Sequence, residues 1–308
     1  MSINLEIFRK ILIYEMTAPV STILEDLEQI AVIDRAAEAQ QNKFRQLRNK
    51  FLTGMGISIL VAFLSIFLLS QGAGSIAILG FLLLVLGGLG FITFLITAIY
   101  AESRKSFHGR FNLPNQRYEL LTKVLQMVVR DMEQAAEISV RLVLSPPSQK
   151  DKLTQTVPHR YKTGFKVDFY QDEWLTVHGS FLDKTEFLLT TTEFNQTAYG
   201  WKRSRSGKSK YKTKSKPQGL EVSLKLTYPL RRYGAIKIVK DQAIEAVKLP
   251  ETVQLKNLKT TDKSIHLIVR IPVFRTSENW NKDNPYQTIA MMFLSLYQVL
   301  NLSRILSK

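Results

Sequence analysis

Between residues 51 and 101 the chain has no Asp, Glu, Lys, Arg or His. So long an uncharged run excludes the surface helix of a soluble protein, which needs one polar face. Cysteine is missing altogether. That excludes a disulfide framework, a thiolate zinc site and a cysteine nucleophile, and it fits a reducing compartment. Histidine is scarce: His108, His159, His178 and His266 lie far apart, with no pair at metal-ligand spacing. His178 and His266 fall in expected strands, on polar faces. No nucleophile–base set and no paired-carboxylate site is visible, and Asp172-Glu173 reads as a turn between strands. The expectation is a protein that is not an enzyme, with no metal and no cofactor.

The uncharged run divides at residues 70–75, Ser-Gln-Gly-Ala-Gly-Ser. Each half, 51–70 and 76–100, is long enough to cross a hydrocarbon core of about 30 Å as a helix. The expected arrangement is a two-span transmembrane hairpin over residues 51–101. Lys43, Arg45, Arg48 and Lys50 precede it, Arg104, Lys105 and Arg110 follow it, and the turn carries no charge. The positive-inside rule then makes the chain an integral membrane protein with both termini cytoplasmic. A signal peptide is not expected, since the apolar run at 11–14 is short and Glu15 follows it. Within the spans Gly54, Ser58 and Ala62 share one helical face, while Gly80, Gly87, Gly88 and Gly90 thin the second helix. Small residues let backbones approach in lipid, either between the two spans or in a homo-oligomer or larger membrane assembly. With no ionisable group in mid-membrane, a channel or transporter subunit is a weaker alternative.

Around the hairpin the periodicity expects helices. Residues 3–16 read as a short amphipathic helix, and a second helix starts after Pro19 and runs toward the first span. Together they form an N-terminal cytoplasmic region, residues 1–50. From Tyr118 through Leu121, Leu125, Val128, Met132, Ala135 and Ser139 to Leu142 the spacing alternates three and four, a heptad stripe. It predicts one long helix within residues 102–145, ending before Pro146-Pro147. That helix either forms a coiled-coil stalk with the helix before the spans or packs on the C-terminal domain.

From about Tyr161 the period changes to two. Strands are expected at 163–170, 174–181, 186–197, 219–227, 235–239, 253–258 and 265–271. Asn284-Pro285 then opens a final amphipathic helix. The fold class expected is an α+β membrane protein whose C-terminal antiparallel β meander is closed by a terminal helix. That layout resembles the pleckstrin-homology arrangement, in layout alone, and no motif carries the likeness further.

Residues 146–308 hold 28 basic and 14 acidic residues, nearly all of the net +16 of the chain. The densest part is 202–216, where Lys202, Arg203, Arg205, Lys208, Lys210, Lys212, Lys214 and Lys216 stand with no acid among them. An extended chain puts the even lysines on one face. A two-residue turn at Ser206-Gly207 sets Arg205 against Lys208, Arg203 against Lys210, Trp201 against Lys212 and Tyr199 against Lys214. The expected ribbon is therefore basic on one face, with Trp201 and Tyr199 at its base. Like charges opposed across strands destabilise it, and an anionic partner relieves them. Three readings stay open: a solvated loop, a site for membrane lipid or an acidic protein, and a nucleic-acid tether. Gly207-Lys208-Ser209 is not a phosphate loop, because residue 202 is Lys where that motif needs glycine. The function expected is a membrane-anchored scaffold, tether or assembly subunit that binds an anionic surface.

Overall fold

The computed structural model describes residues 8, 11–70, 74–109, 113–203, 207–234, 246–272 and 285–306. The fold is α+β: a long N-terminal helical region, a mostly antiparallel sheet and a C-terminal helix. The chain divides into two compact units, residues 29–113 and residues 1–28 with 114–308.

The first unit holds most of helix α1 (Val20–Ser70) and all of α2 (Ser75–Gly109). Pro19 precedes α1, where its fixed φ suits a helix start. The small residues of both helices meet. A side-chain carbon at Gly54 would lie 2.9 Å from the Phe94 ring, one at Gly80 3.0 Å from the Ser65 carbonyl, and one at Gly87 3.4 Å from the Ser58 carbonyl. The Ala62 backbone also lies against Gly87. Outward from that seam Leu60, Phe63, Phe67, Leu82, Leu86 and Ile99 are exposed. The hydroxyls of Ser58, Ser65, Thr93 and Thr97 bond to carbonyls of their own helices, as a low-dielectric surround requires. Arg48, midway along α1, pairs with Glu102, near the end of α2, at 2.9 Å.

Among the described residues three helices, not two, are long and apolar enough to cross a membrane: α1, α2 and the C-terminal helix Pro285–Leu306. The expected N-cap of that last helix, Asn284, and the expected strand 235–239 lie outside the described residues.

The second unit is built on an eight-stranded sheet: β1 (Ile13–Pro19), β2 (Glu137–Val143), β3 (Leu153–Pro158), β4 (Phe165–Ser180), β5 (Glu186–Arg203), β6 (Ser209–Thr227), β7 (Gln254–Thr260) and β8 (Ser264–Ile271). The order is β1-β2-β4-β5-β6-β8-β7, with β3 on the outer part of β4. Helices α3 (Asn115–Val128) and α4 (Pro285–Leu306) cover the inner face. Phe187, Leu189, Val222, Leu224, Leu226, Ile265, Leu267 and Val269 from the strands meet Ile289, Met292, Phe293 and Leu296 of α4 in the core.

Two sequence expectations give way here. The segment at 13–19 is a strand, not a helix, because it pairs along β2 from Ile13↔Val143 to Pro19↔Glu137. The heptad helix stops at Val128, and a 3-10 turn, Val129–Asp131, follows. Ser139 and Leu142 belong to β2, where Ile138, Val140 and Leu142 are buried in period two. The β-branched alternation and non-local pairing outweigh an accidental three–four spacing. The real helix α3 packs on α4 and β4, so no long stalk helix forms from this stretch.

Asp172 is also not in a turn. It sits inside β4, beside a bulge at Glu173/Leu175, with 2% of its side chain exposed. Arg117 of α3 reaches it at 2.7 Å and Glu193 of β5 at 2.8 Å, and donates to the Val143 carbonyl at 2.8 Å. Lys152 closes the other carboxylate oxygen at 2.9 Å and donates to Ser145 and Pro146. The Arg117 guanidinium lies 5.1 Å over the Trp174 ring. One cluster thus ties α3 to the ends of β2 and β3 and to β4 and β5. Asp172→Ala leaves Lys152 without its carboxylate and Arg117 with Glu193 alone, and breaking such a buried pair costs about 3–5 kcal/mol. Thermal unfolding of the full chain in detergent should show a large fall in Tm for this variant. Arg141→Ala, which removes only an exposed pair with Glu15 at 3.8 Å, should leave it nearly unchanged.

Candidate anion-binding site

Within the basic stretch, Lys202 and Arg203 end β5 and residues 209–216 form the outer half of β6. It pairs with β5 from Arg203↔Ser209 through Lys202↔Lys210, Trp201↔Tyr211, Gly200↔Lys212 and Ala198↔Lys214 to Gln196↔Lys216. This is one residue away from the register expected from a two-residue turn. The last described pair is Arg203↔Ser209, and Gly207 beside it has φ 76°. Arg205 lies outside the described residues.

The shift changes which residues share a face. Lys210, Lys212, Lys214 and Lys216 join Lys202, Gly200, Ala198 and Gln196. Trp201, Tyr199 and Arg203 stand on the other face with Tyr211. Two interactions favour this register. Trp201 meets Tyr211 edge-on at 5.4 Å between centroids, and the Thr197 and Ser215 hydroxyls are 2.9 Å apart. Aromatic and hydroxyl cross-strand pairs each contribute about 0.2–1 kcal/mol. The expected register would set lysines against both aromatics instead.

Nearer the core the pairing runs Phe194↔Gly219 and Thr191↔Val222, and a bulge between Phe194 and Asn195 separates the two halves. Gln218 is the extra residue. Gly219 there has φ 121°, and a side chain on it would meet the Ile271 carbonyl at 2.7 Å. Pro217, with no N–H to give a ladder, fits a bulge better than a regular central position. Arg270 of β8 fastens the kink. It donates to the Gln218 carbonyl at 3.1 Å, its guanidinium lies 4.1 Å over the Phe194 ring, and Glu221 is 3.8 Å away. Without the bulge, the even lysines would lie on the same face as Val222, Leu224 and Leu226. With it they lie on the opposite face.

On that outer face a groove of about 750 Å³ opens. Phe165 and Ala198 give it an apolar floor, and Lys202, Lys212, Lys214, Lys216, Lys162, His159 and Gln196 surround it. Trp201, Arg203 and Thr213 border it as well. Gly200 has no room for a side chain, since one would fall 2.7 Å from the Phe165 ring. That contact seats the ring beside the lysines. The Lys162 ammonium lies 5.4 Å over the ring and His159 meets it edge-on at 6.3 Å. Lys208 and Lys210 are exposed nearer the turn and do not line the groove.

The cross-strand partners of Lys212 and Lys214 are Gly200 and Ala198, so direct opposition of like charges is confined to Lys202 and Lys210. Along β6 the lysines follow at about 7 Å. Each neighbouring pair repels by roughly 0.6 kcal/mol in water before screening. An anion seated among them removes that repulsion and gains from several ammonium groups at once. Among the described residues no three His, Asp or Glu side chains come together to hold a metal ion. The chain matches no family model, no curated protein and no solved structure. Its chemistry is therefore read from its own residues.

One further pair has catalytic-looking geometry. Ser223 Oγ and His266 Nε2 are 2.6 Å apart on neighbouring strands. Burial, then Lys225 and Lys259, lower the His266 pKa, which keeps the ring neutral near pH 7. The charged groups that act on it among the described residues are Lys225 and Lys259.

Sequence reasoning found the lysines but missed the groove floor and the bulge. The signals available were Gly200 within a strand and the Pro217-Gln218-Gly219 interruption of the alternation. The register itself can be tested, because the native chain has no cysteine. Thr197→Cys with Ser215→Cys should form a disulfide on mild oxidation. Thr197→Cys with Lys216→Cys, neighbours in the other register, should stay reduced. Non-reducing mass spectrometry reads the outcome, and a bridge in the second pair alone rejects the observed register.

Proposed function

We propose that the protein is a membrane-anchored, non-enzymatic scaffold or tether that holds an anionic partner in the β5–β6 groove. The observation that carries this reading is the set of Lys162, Lys202, Lys212, Lys214 and Lys216 around a floor of Phe165 and Ala198. Cationic side chains with no carboxylate partner among the described residues, lined up beside an apolar surface, suit an acidic polypeptide or an acidic lipid headgroup. The nucleic-acid alternative has less support. Single strands are held by several stacked bases along a basic surface; here Phe165 and Trp201 line the groove with the lysines, while Tyr199 and Tyr211 do not.

The anchor is a hairpin of α1 and α2 with both ends in the cytoplasm. What supports two spans, rather than three, is the surround of α4. Its Phe293 ring is 5.6 Å from Phe187 and 6.0 Å from Phe181, and Ser295 bonds to the Lys248 backbone. A helix with that stripe against a sheet closes a domain core. The basic residues flanking the hairpin support the cytoplasmic orientation, and the self-satisfied hydroxyls of the spans give the channel alternative no polar lining. The seam of Gly54, Ser58, Gly80 and Gly87 serves the hairpin itself, and the exposed outer faces are free for lipid or another copy.

Two outcomes are expected. Single cysteines at Gly74 or Ser75 should react with an impermeant reagent added to intact cells, and cysteines at Ser2 or Ser307 should not. Labelling of a terminus rejects the topology. For the groove, the full chain in neutral nanodiscs should bind polyglutamate or phosphatidylserine vesicles in a salt-sensitive way. Each lysine beside an anionic surface contributes about 1 kcal/mol, so Lys212→Gln, Lys214→Gln and Lys216→Gln together should weaken binding about 100-fold. Undiminished binding by the triple variant, or preference for an oligonucleotide over both ligands, removes the assignment.

A further inference from the structure

The face opposite the lysines carries a second surface. Trp201 and Tyr211 stand directly across from each other near the end of the ribbon, and Tyr199 lies 6.3 Å from Tyr211 between ring centroids. Trp201 is 65% exposed and Tyr211 53%. Strand β4 stops flanking β5 at the Phe165↔Gly200 pair. Both rings therefore lie on a two-stranded projection beyond the body of the sheet. The Tyr199 hydroxyl donates to Asp168 at 3.1 Å, which marks where the apolar patch gives way to polar strand surface. Burial and that carboxylate raise the Tyr199 pKa, so the phenol stays protonated. At the end of the same face stands Arg203, and on the reverse face of the projection the Lys202–Lys210 pair.

Two exposed rings of this type need an occupant. A Trp–Tyr pair, rather than Leu or Ile, suits the boundary between headgroups and acyl chains, where an apolar ring body and a polar tip are both satisfied. The chain brings its own bilayer, since α1 and α2 are long and apolar enough to span one. The sheet domain is joined to that unit at two chain positions, after Glu28 and before Pro114. Such attachment raises the local concentration of lipid at the tip far above that of any free partner. Arg203 and the long stems of Lys202 and Lys210 reach phosphates while the rings sit deeper.

We propose that the Trp201–Tyr211 tip of the β5–β6 ribbon inserts into the interface of an acidic phospholipid bilayer. The tip is a second contact with the membrane that the spans enter. The groove lysines, on the reverse face, remain open to a different anion. Trp201, Arg203 and Lys202 also border the groove, but the inference shares with the proposed function only the membrane attachment and does not need an anion bound there.

The test uses the full chain reconstituted in vesicles of phosphatidylserine and phosphatidylcholine. The Trp201 emission is the difference between wild type and Trp201→Phe. It should be blue-shifted, and lost when the lipids are brominated near the top of the acyl chain. Single spin labels at Tyr211→Cys and Lys210→Cys give an independent reading, since the native chain has no cysteine. The label at 211 should be open to oxygen and shielded from an aqueous nickel chelate, and the label at 210 the reverse. Unquenched Trp201 emission with equal chelate access at both positions overturns the proposal and assigns the rings to a protein partner. The triple lysine variant of the groove should keep Trp201 quenched. If wild type binds no polyglutamate yet Trp201 is quenched, the groove reading falls and the tip stands. If acidic ligands bind and Trp201 is unquenched, the reverse holds.

Discussion

A guanidinium with 6% of its side chain exposed is tolerable only where its charge is matched on the spot. Arg117 is matched twice, by Asp172 and Glu193, and Lys152 satisfies the oxygen of Asp172 that Arg117 leaves open. This cluster constrains the sheet domain more than any single apolar contact. It fixes where α3 lies, and it places the bulge of β4 beside Thr191 and Thr192, midway along β5. From that point β4 and β5 run outward together as the platform on which the basic strand is paired. The cluster need not raise stability over an apolar substitute. Its effect is specificity, since the charges meet in only one arrangement of α3, β2, β4 and β5.

The second constraint is the kink at Gln218. A strand that leaves the core with Val222, Leu224 and Leu226 facing inward would carry any even-numbered residue inward as well. Pro217 cannot donate to a ladder and Gly219 adopts a left-handed φ, so both suit an interruption there. Arg270 then holds the kink from the neighbouring strand. The result is a ribbon with two unlike faces. Lysines lie over Phe165 and Ala198 on one side, and Trp201, Tyr199 and Tyr211 lie on the other. Trp201 also borders the groove. The two faces are the basis of the two proposed contacts, an anion in the groove and a bilayer at the tip.

The unit formed by α1 and α2 follows a different physics. In lipid there is no hydrophobic gain from helix pairing, so contact depends on how closely backbones approach. Gly80 against the Ser65 carbonyl and Gly87 against the Ser58 carbonyl are contacts of that kind. The exposed Leu, Ile and Phe side chains around them would be a liability in water and are ordinary in a bilayer.

Some of this was legible in residue order alone. The absence of charge from 51 to 101 can be satisfied by few environments, and it needs no partner elsewhere in the chain to be read. The same holds for the lysine row at 208–216 and for the strands after residue 160, whose period is a local property. What residue order left open was everything set by non-local pairing. Residues 13–19 are a strand only because β2 lies beside them, and β2 itself ends a false heptad because Ile138, Val140 and Leu142 find a core. Asp172 looked like a turn residue because its partners, Arg117 and Lys152, are distant or ordinary in sequence. The face of the lysines depended on one residue of register. Alternation fixes which side chains stand together, but only the bulge at Gln218, held by Arg270 and Gly219, decides which side of the sheet they take.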